Sequence, residues 1–384
     1  MCYFFFATIS CLISLTALAE PNLADESAVN QAVTIGKRVL HWMEIENKKY
    51  PSAPIHGSSA TTRGMGISIE EPDYLSAKLI RKDLELDLLK IPPELKKLLL
   101  SGQDIPETLP IPLATFQNWS ATFIYHYERA NRLKFLVSYQ AYYEDQAKFD
   151  LRSYYQLEKE TLTSAKLANF FSLDLKEQEH LKKLLIAECA SHTPIIESCD
   201  LEFTTAFVHG ELPRFFKKHH ELSRKVWNSY FTISDADRNS NVSASDNPKF
   251  LLQINFQIPL VEKMKSLIQK NIEDEWHIQV HFSNLSTAPF LVFEDGAVPH
   301  VNQVGGNTIT LDANTPTDEY SVQWTLRHEF GHLLGFKDCY LEFYDHVEKQ
   351  FVNYQLDLTD IMCSEAGNFT AHHSSELRRV YLPN

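Results

Sequence analysis

Arg327-His328-Glu329-Phe330-Gly331-His332-Leu333-Leu334-Gly335-Phe336-Lys337-Asp338, near the C-terminus, is the stretch on which the reading of this chain turns. His328 and His332 are four residues apart, so on a helix both imidazoles leave one face, one turn apart. Two neutral ring nitrogens placed in that way reach one zinc ion at about 2.0–2.1 Å. Glu329 follows the first histidine on a neighbouring flank, where it can face water at the metal without being a ligand, as a general base must. Gly335 falls where such a helix would end, because glycine accepts the left-handed conformation that terminates one. Three residues later Asp338 offers an oxygen ligand, which leaves a fourth position open for water. The expected chemistry is hydrolysis of a peptide bond. Zinc lowers the pKa of its water toward neutrality, and Glu329 takes the proton and passes it to the leaving amine.

A bare HExxH arises by chance in roughly a few per cent of chains this rich in histidine; Gly335 and Asp338 cut that to roughly one in several thousand. The full pattern HExxHxxGxxD resembles the metzincin clan of zinc peptidases. Most members carry a third histidine where this chain has Asp338, and snapalysin-type members carry aspartate. Metzincins also have a methionine turn beneath the metal. Asp357-Leu358-Thr359-Asp360-Ile361-Met362-Cys363 is similar to it, about two dozen residues past Asp338. The resemblance implies one catalytic zinc held by His328, His332 and Asp338, with Glu329 as catalytic base and Met362 as the floor of the site. Several metzincin families have tyrosine two residues after the methionine; here that residue is Ser364, so a tyrosine assisting the transition state does not carry over. Two rivals stay open. A thermolysin-like site would take its third ligand from a later glutamate, Glu342 or Glu348. An exported, non-catalytic binding protein would keep zinc in a structural or vestigial site, although such a site has no need of a base like Glu329.

Length and composition bound the rest. The 384 residues suffice for two domains, and 44% apolar with 22% charged residues is a globular composition. A net charge of −14 without any Lys/Arg-rich block argues against nucleic acid as a partner; the resemblance implies a polypeptide substrate instead. Residues 1–19 form an apolar run ending Ala17-Leu18-Ala19, which reads as a secretory signal peptide, with an uncleaved anchor as the competing reading. No other stretch approaches the ~20 apolar residues that cross a bilayer. The mature chain is therefore expected to be secreted or periplasmic, without stable membrane insertion. Cys189, Cys199, Cys339 and Cys363 remain after signal removal. Four cysteines allow three connectivities. The sequence-local choice is Cys189–Cys199 with Cys339–Cys363, against buried free thiols, and the second bond would tie Asp338 to Met362.

The expected class is α+β, with a zincin- or metzincin-like domain of twisted mixed sheet plus zinc helix preceded by an α-rich domain. Residues 20–220 read as an α-rich accessory or pro-domain, 221–246 as a linker and 247–384 as the metallopeptidase domain. In the last, strand Lys249–Ile258, helix Leu260–Trp276, strands His277–Phe282, Phe290–Phe293 and Asn307–Asp312, and helix Thr317–Leu334 follow in order, closed by a helix at Ser374–Tyr381. That order resembles the metzincin N-terminal subdomain. The strand at Asn307–Asp312, or the segment just before it, is the expected cleft rim for substrate pairing. Upstream, Leu23–Tyr50, Tyr74–Leu100 with a break at Pro92-Pro93, and Ser172–Cys189 capped by Ser172 read as helices. Ala121–Tyr155, with alternating Phe135, Val137 and Tyr139, reads as a hairpin or small sheet. Asp235, Asp237, Asn239 and Asp246 occupy positions 1, 3, 5 and 12 of an EF-hand-like calcium loop, with Ser240 in the glycine position. A solvated linker is the alternative to a Ca2+ site. The pairs His219-His220 and His372-His373 lack ligand spacing and read as surface residues.

Overall fold

Apolar residues at helical spacing dominate the N-terminal part of the chain, and the computed structural model folds them as helices. It describes residues 23–49, 68–160, 164–193, 196–259, 262–294, 297, 299–313, 320–364 and 366–382, so the expected signal peptide lies outside the described residues. Two compact units divide the chain, one within Met1–Pro54 and Ser76–Lys134, the other within Ile55–Leu75 and Phe135–Asn384.

The first unit is built of α1 (Leu23–Lys49), α2 (Ala77–Lys90), α3 (Pro93–Leu100) and nearly all of α4 (Leu113–Ser138). Ser76 caps α2 by accepting from the Leu79 amide at 3.3 Å. Pro93 opens α3, where its missing N–H leaves nothing unpaired. The Arg38 guanidinium donates to the carbonyls of Leu99 at 2.7 Å and Leu98 at 3.1 Å, satisfying the end of α3. The hairpin expected over Ala121–Tyr155 is corrected by α4. Phe116, Phe123, Ile124, Ala130, Leu133 and Leu136 are buried at helical spacing, whereas Phe135, Val137 and Tyr139 are 56%, 51% and 56% exposed. The alternating residues therefore sit on the outer side of a helix end, and their alternation is no strand signal.

The second unit begins with β1 (Asp73–Leu75) and continues through α5 (Gln140–Gln146), α6 (Arg152–Lys159), α7 (Ser164–Ala168), α8 (Leu175–Ala190), α9 (Ile196–Val208) and α10 (Leu212–Ser229). Leu157, Leu167, Phe170, Leu181, Leu185, Phe203 and Phe215 form the core between these helices. The Cys189–Cys199 disulfide joins α8 to α9, with Cα atoms 5.8 Å apart. Asp174, not Ser172, caps α8, accepting from the Glu177 amide at 2.9 Å.

The α/β part follows: β2 (Val242–Ala244), β3 (Leu252–Gln257), α11 (Glu262–Trp276), β4 (Ile278–Ser283), β5 (Phe290–Glu294), β6 (His300–Val301), β7 (Thr308–Asp312), α12 (Tyr320–Leu333), β8 (Tyr340–Asp345), β9 (Gln350–Gln355) and α13 (Ala371–Tyr381). Residues 317–319, which open the expected zinc helix, lie outside the described residues. Three small sheets run β2-β3-β4, β5-β7-β6 and β1-β9-β8. β3 and β4 are parallel, joined by the crossover helix α11, and β5 is parallel to β7 with β6 antiparallel at the edge. Beyond the β2 pairing, β3 reaches the start of β5 through a Gln257 amide to Pro289 carbonyl bond of 2.7 Å. Fully buried Ile254, Phe256, Trp276, Phe330, Leu333, Phe336 and Leu377 form the core, each contributing about 1.5–3 kcal/mol on leaving water. The linker expected at 221–246 is corrected here. Residues 221–229 continue α10 and Val242–Ala244 pairs with β3, so the segment belongs to the packed unit.

Candidate metal centre

Helix α12 turns Val322, Leu326, Phe330 and Leu333 into the core at helical spacing, leaving His328 and His332 on an adjacent stripe. It ends at Gly335, whose φ is +101°. The Phe336 amide bonds the Gly331 carbonyl and the Gly335 amide bonds the His332 carbonyl, both at 3.0 Å, the paired closure that a left-handed residue permits. A side chain at Gly335 would also meet the Asp237 carbonyl oxygen at 2.6 Å. The chain then reverses and delivers Asp338 to the histidines. Its position is held from behind, where the Cys339 amide bonds the Met362 carbonyl at 3.2 Å and Cys339–Cys363 form a disulfide with Cα atoms 4.5 Å apart.

Three donor atoms converge. His328 Nε2 lies 3.1 Å from Asp338 Oδ1 and 3.1 Å from His332 Nε2, and His332 Nε2 lies 3.2 Å from Asp338 Oδ1. Ligands about 2.0–2.1 Å from a tetrahedral ion stand about 3.3–3.4 Å apart, so the triangle fits a metal ion to within a few tenths of an ångström. Both rings are oriented for it. His328 Nδ1 donates to the Ile361 carbonyl and His332 Nδ1 to the Phe336 carbonyl, each at 2.9 Å, which leaves each Nε2 lone pair facing the centre. Electrostatics agree. Burial lowers the pKa of His332, but the hydrogen bond and charge of Asp338 outweigh it and push the value up to about 9. Burial raises that of Asp338, yet its bonds to both histidines hold it well below the usual carboxylate range. The cluster draws positive charge to its centre, which is what a divalent cation supplies.

Glu329 is buried beside the three, and among the described residues its Oε2 has no hydrogen-bond partner. Burial raises its pKa and Asp338 adds to the effect, against the lowering influence of His328, His332 and His300. Met362 is buried under the helix, and a side chain at Gly331 would meet its Sδ at 2.2 Å, so glycine is what lets the methionine approach. Sequence reasoning missed Tyr340. It is 42% exposed at the start of β8, and desolvation of the hydroxyl together with the charges of Asp338 and Glu329 holds its pKa far above the ordinary value. The signal available was the spacing, two residues beyond Asp338 at the start of a strand. β6, carrying His300, forms the edge of its sheet and packs on α12, whereas β7 is paired on both sides. Among the described residues the strand at that edge is therefore β6, in the segment just before Asn307–Asp312.

The chain matches no protein-family model, no curated protein and no solved structure. Its functional reading rests on these residues.

The other candidates resolve differently. Glu342 lies in β8 against Asn353, at 3.4 Å, and Glu348 in the following turn, while Asp338 meets the histidines. The calcium loop is corrected by Asn239, which is 2% exposed and occupied by protein. Its Nδ2 donates to the carbonyls of Gly306 at 3.0 Å and Leu333 at 3.1 Å and to Asn307 Oδ1 at 3.1 Å, and its Oδ1 accepts from the Asn241 amide at 2.9 Å. Asp235 and Asp237 lie in a 3-10 turn capped by Ser234, and the extended β2 carries exposed Asp246 away from them. Cys189 and Cys199 belong to a disulfide, so the neighbouring Glu202 and His219 form no cysteine metal site. The histidine pairs are not plain surface residues. His219 and His373 are buried, and His220 bridges two glutamates.

Proposed function

We propose that this chain is an exported, zinc-dependent endopeptidase of metzincin-like design. The observation that carries the reading is the triangle of His328 Nε2, His332 Nε2 and Asp338 Oδ1, with edges of 3.1–3.2 Å, beside the buried carboxylate oxygen of Glu329, which has no partner among the described residues. A structural site has no use for that oxygen. The chain order β3-α11-β4-β5-β6-β7-α12, the parallel pairs and the antiparallel edge strand support the metzincin comparison. The two disulfides support export, since such bonds persist in oxidising compartments. Among the described residues no helix is long and apolar enough to cross a membrane.

The donor set of two imidazoles and one carboxylate suits zinc. Zinc bound there supplies Lewis acidity, bringing the pKa of water toward neutrality and polarising a scissile carbonyl. The chain's own residues do the rest. Glu329 Oε2 accepts the proton of the attacking water and returns it to the departing nitrogen. Tyr340, whose hydroxyl lies in the field of Asp338 and Glu329, adds a further polar group beside the three donors. The edge strand β6 offers backbone groups on which an extended peptide can pair, which favours a polypeptide substrate. Glu329→Ala should lower kcat on a quenched fluorescent peptide by about 10²–10⁴-fold while leaving zinc affinity near that of wild type. A variant that hydrolyses at the wild-type rate would refute the assignment.

A further inference from the structure

The first ligand is connected to a buried carboxylate through a single peptide group. His328 Nδ1 donates to the carbonyl of Ile361 at 2.9 Å. The N–H of that same peptide belongs to Met362, and it donates to Asp360 Oδ1 at 2.7 Å. His373 Nε2 donates to the same oxygen at 3.1 Å. The direction is fixed at the far end, because the Thr370 amide donates to His373 Nδ1 at 2.9 Å and leaves the ring proton on Nε2. Asp360 and His373 are 3% and 1% exposed, and the ring of His373 is enclosed by Phe336, Trp276 and Phe369 at centroid distances of 5.0, 5.4 and 5.6 Å. Water does not screen this chain of bonds, and in such surroundings successive hydrogen bonds polarise one another.

We infer that Asp360 is a positioning residue that acts on the metal through the Ile361–Met362 peptide. Its carboxylate polarises the peptide, makes the Ile361 carbonyl a stronger acceptor and so makes His328 a more basic ligand. Carboxylates that contact a ligand histidine directly do this in one step; here the peptide is interposed. His373 holds the carboxylate in line from the N-terminus of α13, which Thr370 and His373 cap together. The methionine turn thus transmits charge to the site as well as packing beneath it. The inference rests on the metal reading above.

The test is zinc titration of the full chain against a chromophoric chelator, with melting of the metal-free chain followed by circular dichroism. Asp360→Asn keeps an acceptor oxygen for both the Met362 and His373 donors and removes only the charge. Zinc affinity should weaken about ten-fold, while the metal-free variant melts within about 2 °C of wild type. Wild-type zinc affinity in that variant overturns the inference. Where the asparagine variant does not fold, the wild-type chain decides. With five methionines in the sequence, 15N-methionine labelling isolates the Met362 amide, assigned by its absence in Met362→Leu. Zinc should move that amide proton downfield as its bond to Asp360 tightens, and an unmoved resonance overturns the inference. Failure of the metal reading looks different, since wild type would then bind zinc no more tightly than His328→Ala.

Discussion

Asn239→Asp separates a structural clamp from a calcium ligand by the sign of its effect. Asn239 Nδ2 shares its two protons among three acceptors at 3.0–3.1 Å, two of them backbone carbonyls, one being Leu333 at the end of the helix that carries His328 and His332. Aspartate has no N–H to offer. Losing two buried N–H donors costs about 1 kcal/mol each, and facing a carboxylate oxygen toward the acceptors adds at least about 1 kcal/mol more. The total is about 3 kcal/mol. In a unit of this size each kcal/mol lowers the melting midpoint by roughly 2–4 °C, so the expected drop is about 6–12 °C. Acidification should shrink the deficit, because a protonated carboxyl regains one donor. In a calcium loop the added charge would instead tighten the ion. Differential scanning calorimetry with and without calcium reads both. A variant within about 2 °C of wild type, or one that calcium raises above wild type, would refute the clamp.

Three further outcomes follow from the same structure. Replacing Cys339 and Cys363 together by alanine removes a cross-link spanning 24 residues and should cost about 3–4 kcal/mol in denaturant unfolding; an unchanged midpoint would show that the disulfide adds no stability. His220 has Nε2 2.6 Å from Glu158 Oε1 and Nδ1 2.8 Å from Glu188 Oε1, an arrangement in which the charged ring donates to both carboxylates. Burial lowers its pKa, but Glu188 and Glu158 outweigh that and raise it above 6.5. Its stabilisation is therefore complete below about 6.5 and is lost as pH rises through the higher folded-state value. The unfolding midpoint of wild type should fall across that window relative to His220→Gln; parallel pH profiles would contradict the pairing. Tyr340→Phe removes the hydroxyl that lies in the field of Asp338 and Glu329 and should lower kcat/KM on peptides about ten-fold or more, and full activity would exclude the tyrosine from the site.

His328 and His332 are legible in the sequence because a helix alone places residues four apart on one face, with no help from the rest of the chain. Gly335 is legible for a similar reason, since the reversal after α12 needs a left-handed residue, and both disulfides join cysteines close in sequence, 10 and 24 residues apart. Local alternation misled at Phe135, Val137 and Tyr139, where which side of α4 faces the core is set by packing. The ligand-like spacing of Asp235, Asp237, Asn239 and Asp246 misled in the same way, because Asn239 answers to Leu333, 94 residues distant.

What the sequence by itself determined is therefore the helix-borne histidine pair, the carboxylate beside it, the stop that lets the chain turn toward Asp338, and the mixed α+β class. Only the tertiary structure decided that Tyr340 lies in the field of Asp338 and that His373 reaches His328 through Asp360 and one peptide group. The physical reason is range. Helical periodicity and glycine stereochemistry act within a turn of the chain. The partners of a buried donor or carboxylate are chosen by whichever distant segment the core brings against it.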